Sequence, residues 1–134
     1  MTDPAMPPTD AEAFEQIARA TVADFPPAFR DAAQRVALRV ADWPSANILR
    51  DVGVHHAVEL TGLYEGIPMT EKSVSHQPQA PDTVWLFREP ILAEWRDRGD
   101  VALNDLIAHV TVHEFAHHFG WSDDDIASVD RWWE

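Results

Sequence analysis

Residues 113–123 read His-Glu-Phe-Ala-His-His-Phe-Gly-Trp-Ser-Asp, and this stretch decides what kind of fold the chain must build. It opens with the pattern H-E-x-x-H. Four residues advance an α-helix by about 400° and by about 6 Å along its axis. His113 and His117 therefore project from one face, one turn apart, where both imidazoles can reach a single zinc ion. Glu114 follows the first histidine, so its carboxylate can border the same ion without binding it.

The residues after the two histidines provide a helix end and candidates for a third ligand. Gly120 predicts the end of the helix, because glycine is the usual residue just past a helix C-terminus. The chain can then turn back and bring Asp123 toward the ion from another direction. Asp124 is the alternative ligand, and the acidic run 123–125 could instead cap a short final helix. Three protein ligands leave a fourth position open to water, as in catalytic zinc sites.

The segment before the motif predicts a long helix inside the core. Residues 101–119 contain neither Pro nor Gly, and apolar side chains cover both sides of the helix. A helix of this kind is usually buried. Its main stripe has the spacing i, i+3, i+4, i+7 and continues into the motif: Leu103, Leu106, Ile107, Val110, His113, Glu114 and His117. The two histidines and the glutamate on this stripe need polar partners, which a metal ion and a water would provide. The alternative is an ordinary core helix whose histidines make hydrogen bonds.

Three further side chains are candidates for accessory roles. His109 lies one turn before His113, on nearly the same stripe, and is expected to be packed or hydrogen-bonded; contact with the site is the alternative. His118 points about 100° away from His117 and is expected beside the site or facing solvent. Tyr64, the only tyrosine of the chain, could donate a hydrogen bond to a developing oxyanion or simply pack against its own loop.

Composition limits the possible functions. A length of 134 residues predicts one domain, and 46% hydrophobic residues with six Trp are enough for a real core. A formal net charge of −13 argues against nucleic acid and anionic membrane surfaces as partners. The absence of Cys excludes disulfides and thiolate zinc sites. Without a signal peptide pattern or a long apolar run, we expect a soluble cytoplasmic protein with no membrane span.

Local patterns predict one domain over residues 9–134 after a disordered, Pro-rich leader at 1–8. Thr9-x-x-Glu12 is a capping box for the first helix, and Asp100 is the expected cap of the long one. The expected helices cover residues 10–23, 27–34, 46–51, 91–98 and 101–119, with a short one after 123, and the expected strands cover 36–41 and 83–87. Residues 53–82 read as loop with short extended pieces. The strand at 83–87 could offer an edge to an extended peptide or be purely structural.

Three segments of the chain resemble one family. Residues 60–74 (Leu-Thr-Gly-Leu-Tyr-Glu-Gly-Ile-Pro-Met-Thr-Glu-Lys-Ser-Val), 81–90 (Pro-Asp-Thr-Val-Trp-Leu-Phe-Arg-Glu-Pro) and 113–123 are similar to the minimal zincins, small bacterial predicted zinc metallopeptidases. The likeness extends over residues 10 to 130, approximately. It implies a compact α+β domain in which a small mixed β-sheet packs against helices, including a buried H-E-x-x-H helix. It also implies one Zn²⁺ per chain and a peptide or protein substrate, and we expect a monomer.

Carried over residue by residue, the resemblance assigns His113, His117 and Asp123 as zinc ligands and Glu114 as general base. The sequence departs from the larger metzincin group at two points. Asp123 stands where that group has a third His, and no Met follows the motif to form its methionine turn. Strong proteolytic activity is therefore not implied by the wider group.

We expect a zinc-dependent metallopeptidase that hydrolyses peptide bonds with metal-activated water. Zinc lowers the pKa of a bound water to about 7, and Glu114 would take the proton and return it to the leaving amine. The first alternative is a non-catalytic zinc-stabilised binding module, against which the intact Glu114 argues, since a structural site needs no base. The second is a metal-dependent endoribonuclease, whose H-x-x-x-H-x-x-x-x-x-H spacing this chain breaks with Asp123.

Overall fold

The computed structural model describes residues 10–66, 82–121 and residue 126. Within these residues, five α-helices and one short 3-10 helix accompany a three-stranded sheet. In chain order the elements are α1 (Ala11–Ala23), α2 (Pro27–Ala33), β1 (Ala37–Ala41), α3 (Ala46–Val52), the 3-10 helix (Ala57–Glu59), β2 (Gly62–Glu65), β3 (Thr83–Phe87), α4 (Arg88–Arg98) and α5 (Leu103–Phe119). The predicted α+β class is confirmed. The predicted leader and most of the predicted final helix lie outside the described residues.

Two predicted helix caps are wrong. The first turn of α1 is capped by Asp10, whose carboxylate accepts a hydrogen bond of 2.8 Å from the backbone N–H of Ala13. The cap therefore lies one residue after Thr9, because the Asp10 carboxylate is the acceptor within reach of the first free N–H groups. Helix α5 begins after Ala102 and not at Asp100. Its first residue, Leu103, is also its first buried one, so packing sets this start.

Helix α4 starts three residues earlier than predicted. Pro90, expected to separate β3 from the helix, lies in the first turn of α4. A proline is tolerated there because the N–H groups of a first turn have no partner within the helix. The predicted helix ends are confirmed: Gly53, Gly99 and Gly120 follow α3, α4 and α5 with φ of 73°, 75° and 65°, a left-handed conformation that favours glycine.

The sheet has the strand order β1-β3-β2. Strand β1 pairs parallel to β3, from Ala37 opposite Thr83 onward, and β2 pairs antiparallel to it, with Gly62 opposite Leu86. Strand β3 is therefore central, so of the two alternatives for residues 83–87 the edge for a peptide is wrong and the structural strand is confirmed. Its side chains explain the position, since Val84 and Leu86 are completely buried and an edge strand would leave a flank exposed.

Helix α5 belongs to both parts of the core. One apolar cluster joins α1, β3, α4 and α5: Phe14, Ala18, Leu86, Ile91, Leu92, Leu103, Leu106, Ile107 and Val110. The second joins the other side of α5 to α1, α2 and β3: Val22, Phe25, Ala33, Val36, Val84, Val112, Phe115 and Phe119. Packing on two sides fixes the helix against rotation and sliding, which is the condition for a precise site on its remaining face.

In the described part of the chain, no helix combines the length and the apolar character that crossing a bilayer would require.

Candidate active site

The predicted ligands lie where α5 leaves the core. Along the main stripe Leu106 and Val110 are buried, whereas one turn later His113 and His117 are exposed and Glu114, on the same side, is half-buried. The helix is thus buried over most of its surface, as predicted, but both imidazoles open to solvent. Two neutral nitrogen donors on consecutive turns of a fixed helix match the donor chemistry that zinc prefers.

Strand β2 covers Glu114 by an unusually close approach to α5. Gly62 is buried, and a Cβ atom added to it would lie 2.8 Å from Val110 Cγ1 and 3.0 Å from Glu114 Cγ. It would also lie 3.1 Å from the carbonyl oxygen of Trp85 on the neighbouring strand. Glycine is therefore required here for contact rather than for backbone conformation. The strand removes part of the Glu114 side chain from water.

The pairing of β2 directs one backbone donor at Glu114. Phe87 N–H donates to Thr61 C=O over 2.9 Å. Because backbone groups alternate in direction along an antiparallel strand, Tyr64 turns its N–H away from β3, toward the free edge. There it hydrogen-bonds to the carboxylate of Glu114 and lowers the pKa of that group. Burial has the larger effect, and the pKa of Glu114 is raised from 4.5 to about 7.

Two cavities flank Glu114. The His113 cavity has a volume of about 230 Å³ and a mostly polar lining: Thr61, Glu94, Arg98, His109, Val110, His113 and Glu114. The His117 cavity has a volume of about 320 Å³, and Leu63, Tyr64, Gly66, Glu114 and His117 line it. Among the described residues, Glu114 alone lines both. The carboxylate thus lies between two spaces that each contain one of the histidines.

The structure places His109 beside the first of the two predicted histidine ligands. Its ring contacts that of His113 edge to face, with 4.2 Å between the ring centroids. Glu94 and Arg98 of α4 line the same cavity and form an ion pair of 3.2 Å. The contact places His109 against a predicted ligand, and its accessory role stays a prediction.

Tyr64 packs into the site with its hydroxyl group engaged. The hydroxyl donates to Asp82 Oδ2 over 2.9 Å and lies 3.2 Å from His118 Nδ1. Its ring contacts the His118 ring edge to face, with centroids 5.5 Å apart. The geometry favours packing of Tyr64 over the oxyanion role, because its proton is directed at Asp82 and not into the His117 cavity.

Two further polar residues lie near the site. No role was predicted for Asp82, and His118 was expected beside the site or facing solvent. The second of these alternatives is wrong: His118 is 5% exposed, Asp82 is 7% exposed, and their side chains meet at 3.0 Å. The one available signal was the position of His118 between Phe115 and Phe119, on the apolar side of the helix.

The predicted third ligand lies outside the described residues, as does its alternative, Asp124. Over residues 10–66, 82–121 and 126, no three His, Cys, Asp or Glu side chains are grouped so that they could hold a metal ion. A third donor to a zinc ion held by the two histidines would therefore come from residues outside these ranges. Gly120 turns the chain out of the helix at that point, as a returning ligand requires.

Comparison with protein families yields one match. The model of a family described as zincin-like metallopeptidase matches residues 33–133, about three quarters of the chain. The matched region includes the whole sheet, α4, α5 and the H-E-x-x-H motif. No curated protein matches the sequence significantly.

Proposed function

The chain belongs to the zincin-like metallopeptidase family, and on that premise we propose that it hydrolyses peptide bonds in a zinc-dependent reaction with Glu114 as general base. One observation supports this most directly. Glu114 is half-buried between His113 and His117 and lines the cavities on both sides. A peptide spanning the two cavities would pass this carboxylate, so the base would lie next to the bond to be cleaved.

His113, His117 and Asp123 would hold the zinc ion, which when bound supplies a Lewis acid for the scissile carbonyl and for the attacking water. Glu114 would accept a proton from that water and later donate it to the leaving amine. In the zinc-free protein, burial under β2 raises the pKa of this carboxyl group to about 7, so the group can gain and lose a proton near neutral pH there. The Tyr64 backbone N–H would orient the carboxylate during the transfer.

A zinc-stabilised binding module explains the two histidines less completely. Such a site closes its fourth position with a protein ligand and has no use for a base. A carboxylate whose ionised form is disfavoured by burial costs free energy that a purely structural site has no reason to retain. An endoribonuclease is disfavoured by the net charge of −13, because phosphate binding depends on clustered Lys and Arg.

The deciding experiment compares Glu114→Gln with the wild type. Glutamine has nearly the same size but cannot accept the proton, so we expect bound zinc to stay at about one ion per chain while hydrolysis falls by a factor on the order of 10³ or more. A peptide library derived from whole proteomes, read by mass spectrometry, serves as substrate, and elemental analysis measures the zinc. Glu59→Gln, at an exposed position in the 3-10 helix, is the matched control.

Equal peptide cleavage by Glu114→Gln and wild type would refute the assigned base. Stoichiometric zinc without cleavage of any peptide would favour the binding module. Wild-type protein that takes up no zinc after zinc-supplemented expression would remove the proposal altogether.

A further inference from the structure

Behind β2, three polar side chains from distant parts of the sequence meet in the interior. Tyr64 comes from β2, Asp82 precedes β3, and His118 lies in the last turn of α5. Their polar atoms are mutually within hydrogen-bond distance: 2.9 Å from the tyrosine hydroxyl to Asp82 Oδ2, 3.0 Å from Asp82 Oδ2 to His118 Nδ1, and 3.2 Å from His118 Nδ1 to the hydroxyl. We refer to these three residues as the buried polar cluster.

The hydrogen bonds of the cluster are consistent with one arrangement of protons. The tyrosine hydroxyl donates to Asp82 Oδ2, and His118 donates from Nδ1 to the same oxygen, with the hydroxyl oxygen as a second acceptor nearby. Asp82 thus receives two donors at one oxygen. Each member has a partner, as the nearly complete burial of Asp82 and His118 requires.

Stability alone is a weak reason for such a cluster. Buried polar groups can often be replaced by apolar residues of similar volume with no loss of stability. Hydrogen bonds fix the distance and direction between the elements that they join more precisely than apolar contacts do. Here they join β2 and the start of β3 to the turn of α5 that also contains His117.

The cluster and Glu114 meet through a single residue. The side chain of Tyr64 is held in the cluster, while the backbone N–H of Tyr64 contacts the Glu114 carboxylate at the free edge of β2. At the far end of the strand, Gly62 already lies against α5 at Val110 and Glu114. Tyr64 therefore holds the second end of the strand segment that covers the base.

We propose that the buried polar cluster is a positioning device, in which the hydroxyl of Tyr64, held by Asp82 and His118, fixes the β2 backbone at the distance from α5 that Glu114 needs. The inference rests on the proposed function for its catalytic consequence, but its structural part does not depend on that function. Tyr64 is a positioning residue in this scheme, since it acts on the reaction through Glu114.

The test compares two variants, one that lacks the hydroxyl group of Tyr64 and one that lacks a hydroxyl group outside the cluster. Tyr64→Phe keeps the ring and deletes the cluster hydrogen bonds of residue 64. Thr111→Val deletes a hydroxyl outside the cluster, which is fully buried and donates to Ile107 C=O over 2.8 Å within α5. Both variants lose about one buried hydrogen bond, and only the first loses it in the cluster.

The first measurement is amide hydrogen exchange by NMR in zinc-free protein, which needs no enzymatic activity. In Tyr64→Phe we expect the amide of residue 64 to exchange about tenfold faster relative to the amide of Leu86 in the central strand, because β2 opens locally. In Thr111→Val the exchange rates of the amides of residue 64 and Leu86 should increase by the same factor. If the two amides also accelerate together in Tyr64→Phe, the cluster only adds stability and the proposal is overturned.

The second measurement separates kcat from KM on a cleaved peptide. Tyr64→Phe should lower kcat about tenfold or more, because a small misplacement of a catalytic group is costly, while KM changes less than about twofold and zinc stays bound. Thr111→Val should keep kcat within about twofold of the wild type. An unchanged kcat in Tyr64→Phe would overturn the proposal. Should the wild type fail to cleave peptides, the proposed function fails by itself, and hydrogen exchange still decides the positioning role.

Discussion

At the scale of single residues, the distinguishing feature is a carboxylate that the fold keeps partly out of water. The side chain of Glu114 is covered by β2, and burial outweighs the hydrogen bond from Tyr64 in setting its pKa. His113 and His117, its neighbours on the same face, are exposed. The two kinds of group thus have separate environments less than one helical turn apart. A reactive base and accessible metal donors require that difference.

The raised pKa predicts how the stability of the zinc-free protein depends on pH. Between pH 4.5 and 7 the folded state keeps the Glu114 proton while the unfolded state has lost it, so the free energy of unfolding should fall as the pH rises. The fall is at most about 3 kcal/mol and is complete above pH 7. Urea unfolding in chelator at pH 5 and pH 8 measures it.

Glu114→Gln should remove this part of the pH dependence, since glutamine does not titrate. The free energy of unfolding of the variant should then be close to that of the wild type near pH 5 and higher than that of the wild type at pH 8. Glu59→Gln, exposed and outside the lining of both cavities, should behave as the wild type does. If the free energy of unfolding falls by the same amount between pH 5 and pH 8 in the wild type and in Glu114→Gln, the burial of the carboxylate is contradicted.

At the scale of elements, the important contact is that of a short strand with a long helix. Strand β2 has four residues and lies against α5 because Gly62 has no Cβ. Leu63 and Tyr64 of this strand line the His117 cavity, and Thr61, the residue before the strand, lines the His113 cavity. The position of β2 therefore determines the burial of the base and part of the shape of the cleft.

Gly62→Ala tests this contact. The added methyl group would overlap Val110 and the Glu114 side chain, so we expect a loss of about 1–3 kcal/mol in the free energy of unfolding. Peptide hydrolysis should fall by a factor of about ten or more, because the strand moves away from the base. Denaturant unfolding and peptide turnover are the measurements.

Gly53→Ala is the matched control. No atom lies within 4 Å of the added methyl group, but the φ of 73° makes alanine unfavourable there by about 1–2 kcal/mol. The control should lose stability and keep its turnover. Equal turnover in the two variants would show that the β2 contact has no role in catalysis.

At the scale of the whole molecule, the site and the core share one helix. Helix α5 contributes to both apolar clusters and presents His113 and His117 on its remaining face. Zinc bound there should stabilise the entire domain, because the unfolded chain has no preformed site. With free zinc about a thousandfold above its dissociation constant, the gain is about 4 kcal/mol.

Chelation should therefore lower the melting temperature of the wild type by about 10 °C or more. His113→Ala should melt at the same temperature with and without chelator, since it lacks a proposed ligand. His55→Ala, at an exposed position outside both cavities, should respond like the wild type. Scanning calorimetry in zinc and in chelator compares the three proteins. A wild type indifferent to chelator would argue against zinc as part of the folded structure.

What the sequence determined by itself was local. The spacing of His113 and His117, the helix end at Gly120 and the strand at 83–87 follow from patterns within about twenty residues, and the described structure has each of them. The family resemblance of the chain is confirmed as well. Local patterns succeed here because helix and strand periodicity place neighbouring side chains directly on a face.

Only the tertiary structure decided what surrounds that helix. The contact of Gly62 with Glu114 and the central position of β3 depend on strand pairing. The hydrogen bonds of Tyr64 join residues 18 and 54 positions apart in the chain. The packing of the sheet against α5 determines which of these residues come into contact. The residues adjacent in sequence therefore give little information about those contacts. Glu114 could therefore be proposed as the base from the motif, whereas its burial and the cluster behind it could not be predicted.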